Sequence, residues 1–142
     1  MAGIQVALWV DDPQEVIDYY HDVLGFNVVR TRTGEDGRAT HGTLNFDGSN
    51  WLLIPRAVES PGSVARVLEK LREGGPRGAG FLLYVDVGDR DIDAFYDSVV
   101  AKGAKIVEPL QDQFFGERTF RMEDPFGYVL TFSRKLAERE AR

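Results

Sequence analysis

Two stretches, Gln5-Val-Ala-Leu-Trp-Val10 and Leu82-Leu-Tyr-Val-Asp-Val87, decide how this chain folds, because nearly the same pattern of residues comes after each. The first is succeeded by Asp12, Val16-Ile17, Tyr19-Tyr20 and Leu24-Gly25-Phe26. The second is succeeded by Asp89, Ile92, Phe95-Tyr96 and Gly103-Ala104. Asp12 and Asp89 lie 77 positions apart, as do Tyr19 and Tyr96, while Val28 and Ile106 are separated by 78 and Gly48 and Gly127 by 79. The drift belongs to loops. A duplication on this scale predicts two copies of one supersecondary unit sharing a core, with ligand sites where such halves meet.

The first stretch alternates. Val6, Leu8 and Val10 share one face and Gln5, Ala7 and Trp9 the other, which predicts a strand over 4–10 with both faces occupied. Asp12-Pro13 reads as an N-cap with proline in the first turn, and Gly25 as the stop of a helix whose apolar stripe is Val16, Tyr19, Tyr20, Val23 and Leu24. Strands are expected next over 26–33, 38–46 and 50–55, separated by Gly34–Gly37 and Asp47-Gly48-Ser49. The second copy predicts a strand over 80–87, a helix over about 89–102, strands over 104–110 and 114–122, the turn Asp124-Pro-Phe-Gly127, and a strand over 128–134. Each unit is therefore β-α-β-β-β, an α+β arrangement. The expected organisation is a single domain over 1–142: unit one over 3–55, a linker with a short amphipathic helix over 56–78, unit two over 79–134 and a charged, frayed tail over 135–142.

Composition narrows the function. The 142 residues are 43% hydrophobic and 11% aromatic, enough for a packed core. No apolar run is long enough to span a bilayer, and no export signal opens the chain, so a soluble cytoplasmic protein is expected. The absence of cysteine removes disulfides, thiolate metal sites and thiol nucleophiles. A net charge of −6 disfavours nucleic acid and anionic membranes as partners and leaves a small-molecule ligand, neutral or cationic.

The pleat also predicts what lines the cleft between the two sheets. If Val6, Leu8 and Val10 pack under the first helix, Gln5, Ala7 and Trp9 face the cleft. By the repeat, Leu83, Val85 and Val87 pack under the second helix, and Leu82, Tyr84 and Asp86 face the cleft. In the last strand Tyr128, Leu130 and Phe132 point inward, with Val129, Thr131 and Ser133 towards the cleft.

The paired strand-helix units, the Leu24-Gly25-Phe26 corner and the Asp124-Pro-Phe-Gly127 turn resemble the vicinal oxygen chelate superfamily, which includes glyoxalase I, extradiol dioxygenases, fosfomycin-resistance enzymes and bleomycin-resistance proteins. The resemblance covers about residues 4–134 and implies tandem βαβββ units forming a curved mixed sheet around a cleft, the glyoxalase/bleomycin resistance fold. It also implies homodimers, since such units commonly complete their sheets across a two-fold axis. It does not choose an activity, because one scaffold carries metalloenzymes and metal-free binders alike.

Metalloenzymes of that superfamily hold a divalent ion with His, Glu or Gln at four strand positions, which fall here on Gln5, Leu52, Leu82 and Thr131. Only Gln5 could ligate well, so no metal and no cofactor are expected. His21 on the first helix reads as an exposed structural residue. His41 in the third strand reaches either the cleft, where it could act as a general base, or solvent. Asp86 in the cleft wall needs a partner. Arg121 is the candidate, with Glu108 and Arg118 as further members of the network and a structural ion pair as the alternative. Trp9, Trp51, Phe114 and Phe115 supply aromatic surface, either as core packing or as walls on which a planar ligand stacks. The loop Asp112–Arg118, carrying Phe114-Phe115, is the expected specificity element.

The ligand-binding set expected is thus Gln5, Trp9, Trp51, Tyr84, Asp86, Phe114, Phe115, Arg121 and Thr131, and no catalytic residue is assigned. The leading reading is a metal-free protein holding a planar or amphiphilic ligand in an aromatic, acidic cleft. The alternatives are an enzyme of the same fold, a lyase, isomerase or dioxygenase using another metal set or acid-base residues such as Asp86, Glu108 or His41, and a dimeric scaffold without a small ligand.

Overall fold

A computed structural model describes residues 5–56, 78 and 81–137. The chain divides into two units, Met1–Pro76 and Arg77–Arg142. Among the described residues of the first are β1 (Val6–Ala7), α1 (Pro13–Asp22), β2 (Asn27–Thr33), β3 (Ala39–Phe46) and β4 (Ser49–Pro55). The second holds β5 (Leu83–Asp86), α2 (Ile92–Ala101), β6 (Lys105–Asp112), β7 (Glu117–Glu123) and β8 (Val129–Lys135). The sheets have the same topology, β1-β4-β3-β2 and β5-β8-β7-β6, with the opening strand parallel to the closing strand and every other pair antiparallel. The βαβββ repeat expected from the duplicated sequence is therefore present in both units. The short helix expected within the 56–78 linker, at Val64 to Leu71 by its apolar period, lies outside the described residues.

Parity predicted the helix-facing side correctly. Leu8, Val10, Leu83, Val85 and Val87 are buried, and Gln5, Ala7, Leu82, Tyr84 and Asp86 are exposed. In unit one Tyr20, Phe26 and Phe46 form an edge-to-face chain with centroids 5.3 and 5.2 Å apart. In unit two Phe132 stacks on Phe120 at 5.2 Å and meets Phe95 edge-on at 5.0 Å. Such pairs add about 0.5–1.5 kcal/mol each beyond the area they bury.

Several boundaries differ from expectation for local reasons. The opening strand is only two residues long, although a single bridge pairs Val10 with Arg56 beyond it. Asp12 has the extended backbone of an N-cap, φ −127°, but its carboxylate accepts Arg38 Nη2 at 2.6 Å instead of capping α1. α2 begins after Asp91 rather than Asp89, because the Asp91 carboxylate accepts the Ala94 N–H at 3.1 Å and fixes the start there. β7 begins at Glu117, not 114, since Gly116 (φ 84°) closes a turn in which its N–H donates to the Gln113 carbonyl at 3.1 Å. The expected fraying does not start at 135. Lys135 is the last residue of β8, and the Leu136 N–H donates to the Gly116 carbonyl at 2.9 Å. The Asp124–Gly127 turn is held by Asp124, which is buried and accepts the Phe126 and Tyr128 N–H groups at 2.9 and 2.8 Å.

Phe132→Ala is expected to cost about 3–5 kcal/mol, since it empties the centre of the unit-two aromatic cluster. Gly42→Ala is expected to cost about 1–3 kcal/mol by overpacking, because a Cβ at residue 42 would stand 2.5 Å from Ile17 Cδ1 and 2.9 Å from Cγ1 under α1. Urea unfolding of both variants against the parent measures these losses.

Candidate functional site

A ten-residue helix covers one face of each sheet, so the open faces are where a ligand can be met. In unit one the open face is set by register. Gly42 lies under Ile17 and Leu44 is fully buried, so Thr43 between them and His41 just before them point to the other side. Across β3 and β4, Thr43 is paired with Leu53 and His41 with Pro55; across β4 and β1, Leu53 is paired with Ala7. Residues directly opposite in adjacent strands share a face. Ala7, Leu53 and Pro55 thus make an apolar floor, with Trp9 at one side.

β2 adds charge. Val28 is opposite Leu44, but the next registered residue, Arg30, is opposite Thr43 rather than Gly42. The extra residue, Val29, is a β-bulge that reverses which side the following residues occupy. Arg30 and Arg32 consequently stand beside Thr43 and His41 on the open face, while Thr31 opposite Gly42 turns towards the helix. The groove so formed has a volume of about 600 Å³ and is bordered by Ala7, Trp9, Arg30, Arg32, His41 and Leu53 among others. No carboxylate borders it among the described residues, and the acidic residues expected at a site, Asp86 and Glu108, belong to unit two. Without the bulge Arg30 would fall on the helix side. His41 is half-buried, and its Nδ1 lies 3.1 Å from Thr40 Oγ1.

The open face of unit two is different in kind. Arg121 Nη1 pairs with Glu108 Oε2 at 3.4 Å, and its Nε donates to Thr131 Oγ1 at 3.0 Å. Gln111 and Gln113 both donate to Glu108, the latter at 3.3 Å, and Gln113 also donates to Thr119 at 2.9 Å. Tyr84 donates to Glu117 at 3.4 Å. Its phenol is raised above the ordinary value of 10.0, first by partial withdrawal from water and then by the Glu117 carboxylate, with a Ser133 hydrogen bond opposing. This face is a connected polar network rather than an open wall.

Register corrects two further expectations. Arg121 meets Glu108 because the two are paired across β6 and β7, whereas Asp86 is paired with Ser133, two residues along β8 from Thr131. Asp86 instead accepts the Gly88 N–H at 2.8 Å at the end of β5. Arg118 does not join the network either. It lies on the helix side, where it binds Asp112 at 2.6 Å through Nε and Asp93 of α2 at 3.2 Å through Nη1. Thr131 and Ser133, expected to look into a cleft, are buried at 2% and 1% exposure, with the Thr131 hydroxyl accepting from Arg121.

Of the expected binding residues, Trp9 borders the groove and Gln5 is exposed two residues from Ala7 on the same face. Trp51 does not border it; its Nε1 is buried and has no hydrogen-bond partner among the described residues. Tyr84, Arg121 and Thr131 belong to the unit-two network. Phe114 and Phe115 sit in the β6–β7 turn at 98% and 51% exposure, in edge-to-face contact at 5.2 Å. Arg30, Arg32 and Leu53 were missed. The signal for the arginines, a run of alternating Arg30-Thr-Arg32-Thr33, was legible, but the face it occupied was not.

The metal positions implied by the family resemblance also shift. Leu52 faces α1 and is 3% exposed, and the counterpart of Thr131 is Leu53, since Leu53 is paired with Ala7 as Thr131 is with Tyr84. Unit one holds an additional residue in the turn where Asp47 and Asn50 adopt φ of 51° and 55°. The exchange of one leucine for another supplies no lone pair, and Thr131 Oγ1 already accepts from Arg121. These residues do not fit a divalent ion. Among the described residues no group of three or more His, Asp or Glu side chains is placed to hold one.

Comparison with known proteins places the chain in a class. It belongs to the Glyoxalase/Bleomycin resistance protein/Dioxygenase superfamily, whose family model matches residues 4–132. An uncharacterized protein of Mycobacterium bovis is 27% identical over 133 residues, covering 92% of this chain and 82% of the relative. Among solved structures, TioX from Micromonospora sp. ML1 superposes with a TM-score of 0.70 at 26% identity, covering 96% of this chain and 100% of that one. TnmS3, an antibiotic binding protein from Streptomyces sp. CB03234, gives a TM-score of 0.65 at 18% identity, covering 95% and 97%. Both have the fold seen here. No described helix is long and apolar enough to cross a membrane.

The Arg118 bridge fastens the β6–β7 hairpin to the first turn of α2 and predicts a pH dependence. The hydrogen bond from Arg118 holds the Asp112 carboxyl below its ordinary value of 3.8 and raises the guanidinium in turn. A lowered folded value means stability that is present above about 3.8 and is lost as pH falls through the folded value. Both partners are partly exposed, so Asp112→Asn is expected to cost about 1 kcal/mol or less at neutral pH. That cost should shrink as pH falls below about 3.8 in urea titrations of parent and variant.

Proposed function

We propose that this protein is a small-molecule-binding protein that holds a planar or amphiphilic ligand in the unit-one groove, without using a metal. The observation that carries the reading is the groove itself, about 600 Å³ with an indole at its side and an apolar floor. Such a volume falls within the range of small-ligand pockets, roughly 300–1,000 Å³. A flat ring laid on Ala7, Leu53 and Pro55 would bury apolar area at about 25 cal/mol per Å² and stack on Trp9. The donor set at Gln5, Leu53, Leu82 and Thr131 supports binding without Lewis-acid chemistry. The engagement of Glu108 by Arg121, Gln111 and Gln113 commits its oxygens within the protein, which supports binding over catalysis on unit two. TnmS3 is an antibiotic binding protein, so this fold accommodates such use. We further propose a cytoplasmic homodimer, whose dimeric state sedimentation of the purified protein would test.

The test uses a neutral two-ring probe, 2-naphthamide. The chain has two tryptophans, so Trp51→Phe leaves Trp9 as the reporter. Addition of 2-naphthamide is expected to quench Trp9 fluorescence saturably, and calorimetry should show affinity falling about tenfold or more in Trp9→Ala. Phe114→Ala is the comparison variant, expected to bind like the parent. Absence of both quenching and heat up to millimolar probe would contradict the reading.

A further inference from the structure

Resting on that groove as the binding site, we infer that its occupant is an anion: a planar aromatic bearing a carboxylate or a comparable oxyanion, laid against Trp9 and held by Arg30 and Arg32. The protein carries 23 acidic against 17 basic residues, so a concave site bordered by two arginines and a histidine runs against its overall charge. Neither guanidinium has an ion-pair partner among the described residues, although Arg38, Lys105, Arg118 and Arg121 all do.

The two arginines are also placed together by backbone geometry. Arg30 and Arg32 are paired with Thr43 and His41, so both side chains leave the same face two residues apart, about 7 Å along the strand. Two like charges at that spacing repel and are relieved by a shared counter-ion. Guanidinium forks match carboxylate oxygens and stack on flat rings, which suits a ligand that is both aromatic and anionic. The Thr43 hydroxyl opposite Arg30 and the imidazole opposite Arg32 offer further hydrogen bonds to the same oxyanion. The bulge at Val29 is what brings this charge to the groove. Its effect is directional: it turns a stretch of edge strand into one wall of an anion site.

The experiment compares isosteric probes by calorimetry at low salt: 2-naphthoate (anionic), 2-naphthamide (neutral) and N-methylquinolinium (cationic). Naphthoate is expected to bind about tenfold or more tightly than naphthamide, with the cation weakest, and the naphthoate advantage should fade as NaCl is raised. In Arg30→Gln/Arg32→Gln the ratio of naphthoate to naphthamide affinity should fall to about one, while Lys102→Gln, at the end of α2 in unit two, keeps the parent ratio. If naphthamide binds as tightly as naphthoate, or the cation binds best, the inference on charge is overturned while the groove still stands as the site. If no probe binds, the groove reading falls and this inference with it. Circular dichroism of the double variant guards against mistaking loss of fold for loss of charge.

Discussion

A strand sends alternate side chains to opposite faces, and one helix can cover only one face of a four-stranded sheet. Everything else in this protein depends on that constraint. In both units the residues beneath α1 and α2 are driven together by apolar burial and aromatic packing, which fixes register. Once register is fixed, the character of the opposite face is no longer free. It is whatever the intervening residues happen to be, and those residues are under no packing demand from the helix. Function can diverge there without touching the core.

The two units illustrate the divergence. They share topology, helix placement and the parallel pairing of opening and closing strands, yet their open faces differ. Unit two fills its face with Glu108, Gln113, Thr119, Arg121 and Thr131 in hydrogen-bonded sequence, so that each polar group answers another. Unit one leaves a groove, apolar at its floor and cationic at its side. Satisfied polar groups gain little from a ligand, whereas guanidinium groups that have no carboxylate partner among the described residues, beside an indole and bare aliphatic surface, gain a good deal. The arrangement therefore favours binding on unit one.

Much of this was legible in the chain. Tyr19 and Tyr96, or Asp12 and Asp89, announce the duplication, and the alternation of Val6-Ala-Leu-Trp-Val10 is enough to say which side Trp9 occupies. The failures share a cause. Parity propagates correctly only while the strand is regular, and a bulge at Val29 or an inserted residue between Asp47 and Asn50 shifts every later position. Neither feature has a sequence signal of its own, since Val29 is an ordinary strand residue. That is why Arg30 and Arg32 went unplaced and Leu52 was exchanged with Leu53. The pairing of Arg121 with Glu108 instead of Asp86 has the same origin, for it depends on cross-strand register. Phe114 and Phe115 do lie in a turn, as the expected 112–118 loop had them and the expected strand start at 114 did not, but nothing in their identity told which surface the turn would present.

The central claim is that ligand recognition lies on the open face of unit one and is governed by Trp9, Arg30 and Arg32. It is tested most directly by nuclear magnetic resonance of ¹⁵N-labelled protein, with indole and arginine Nε–H signals monitored during titration with 2-naphthoate. The account predicts progressive shifts at the Trp9 indole and at the Arg30 and Arg32 side chains, with the Arg118 and Arg121 signals of unit two unmoved. Shifts concentrated at Arg121 and Tyr84, with Trp9, Arg30 and Arg32 silent, would contradict it.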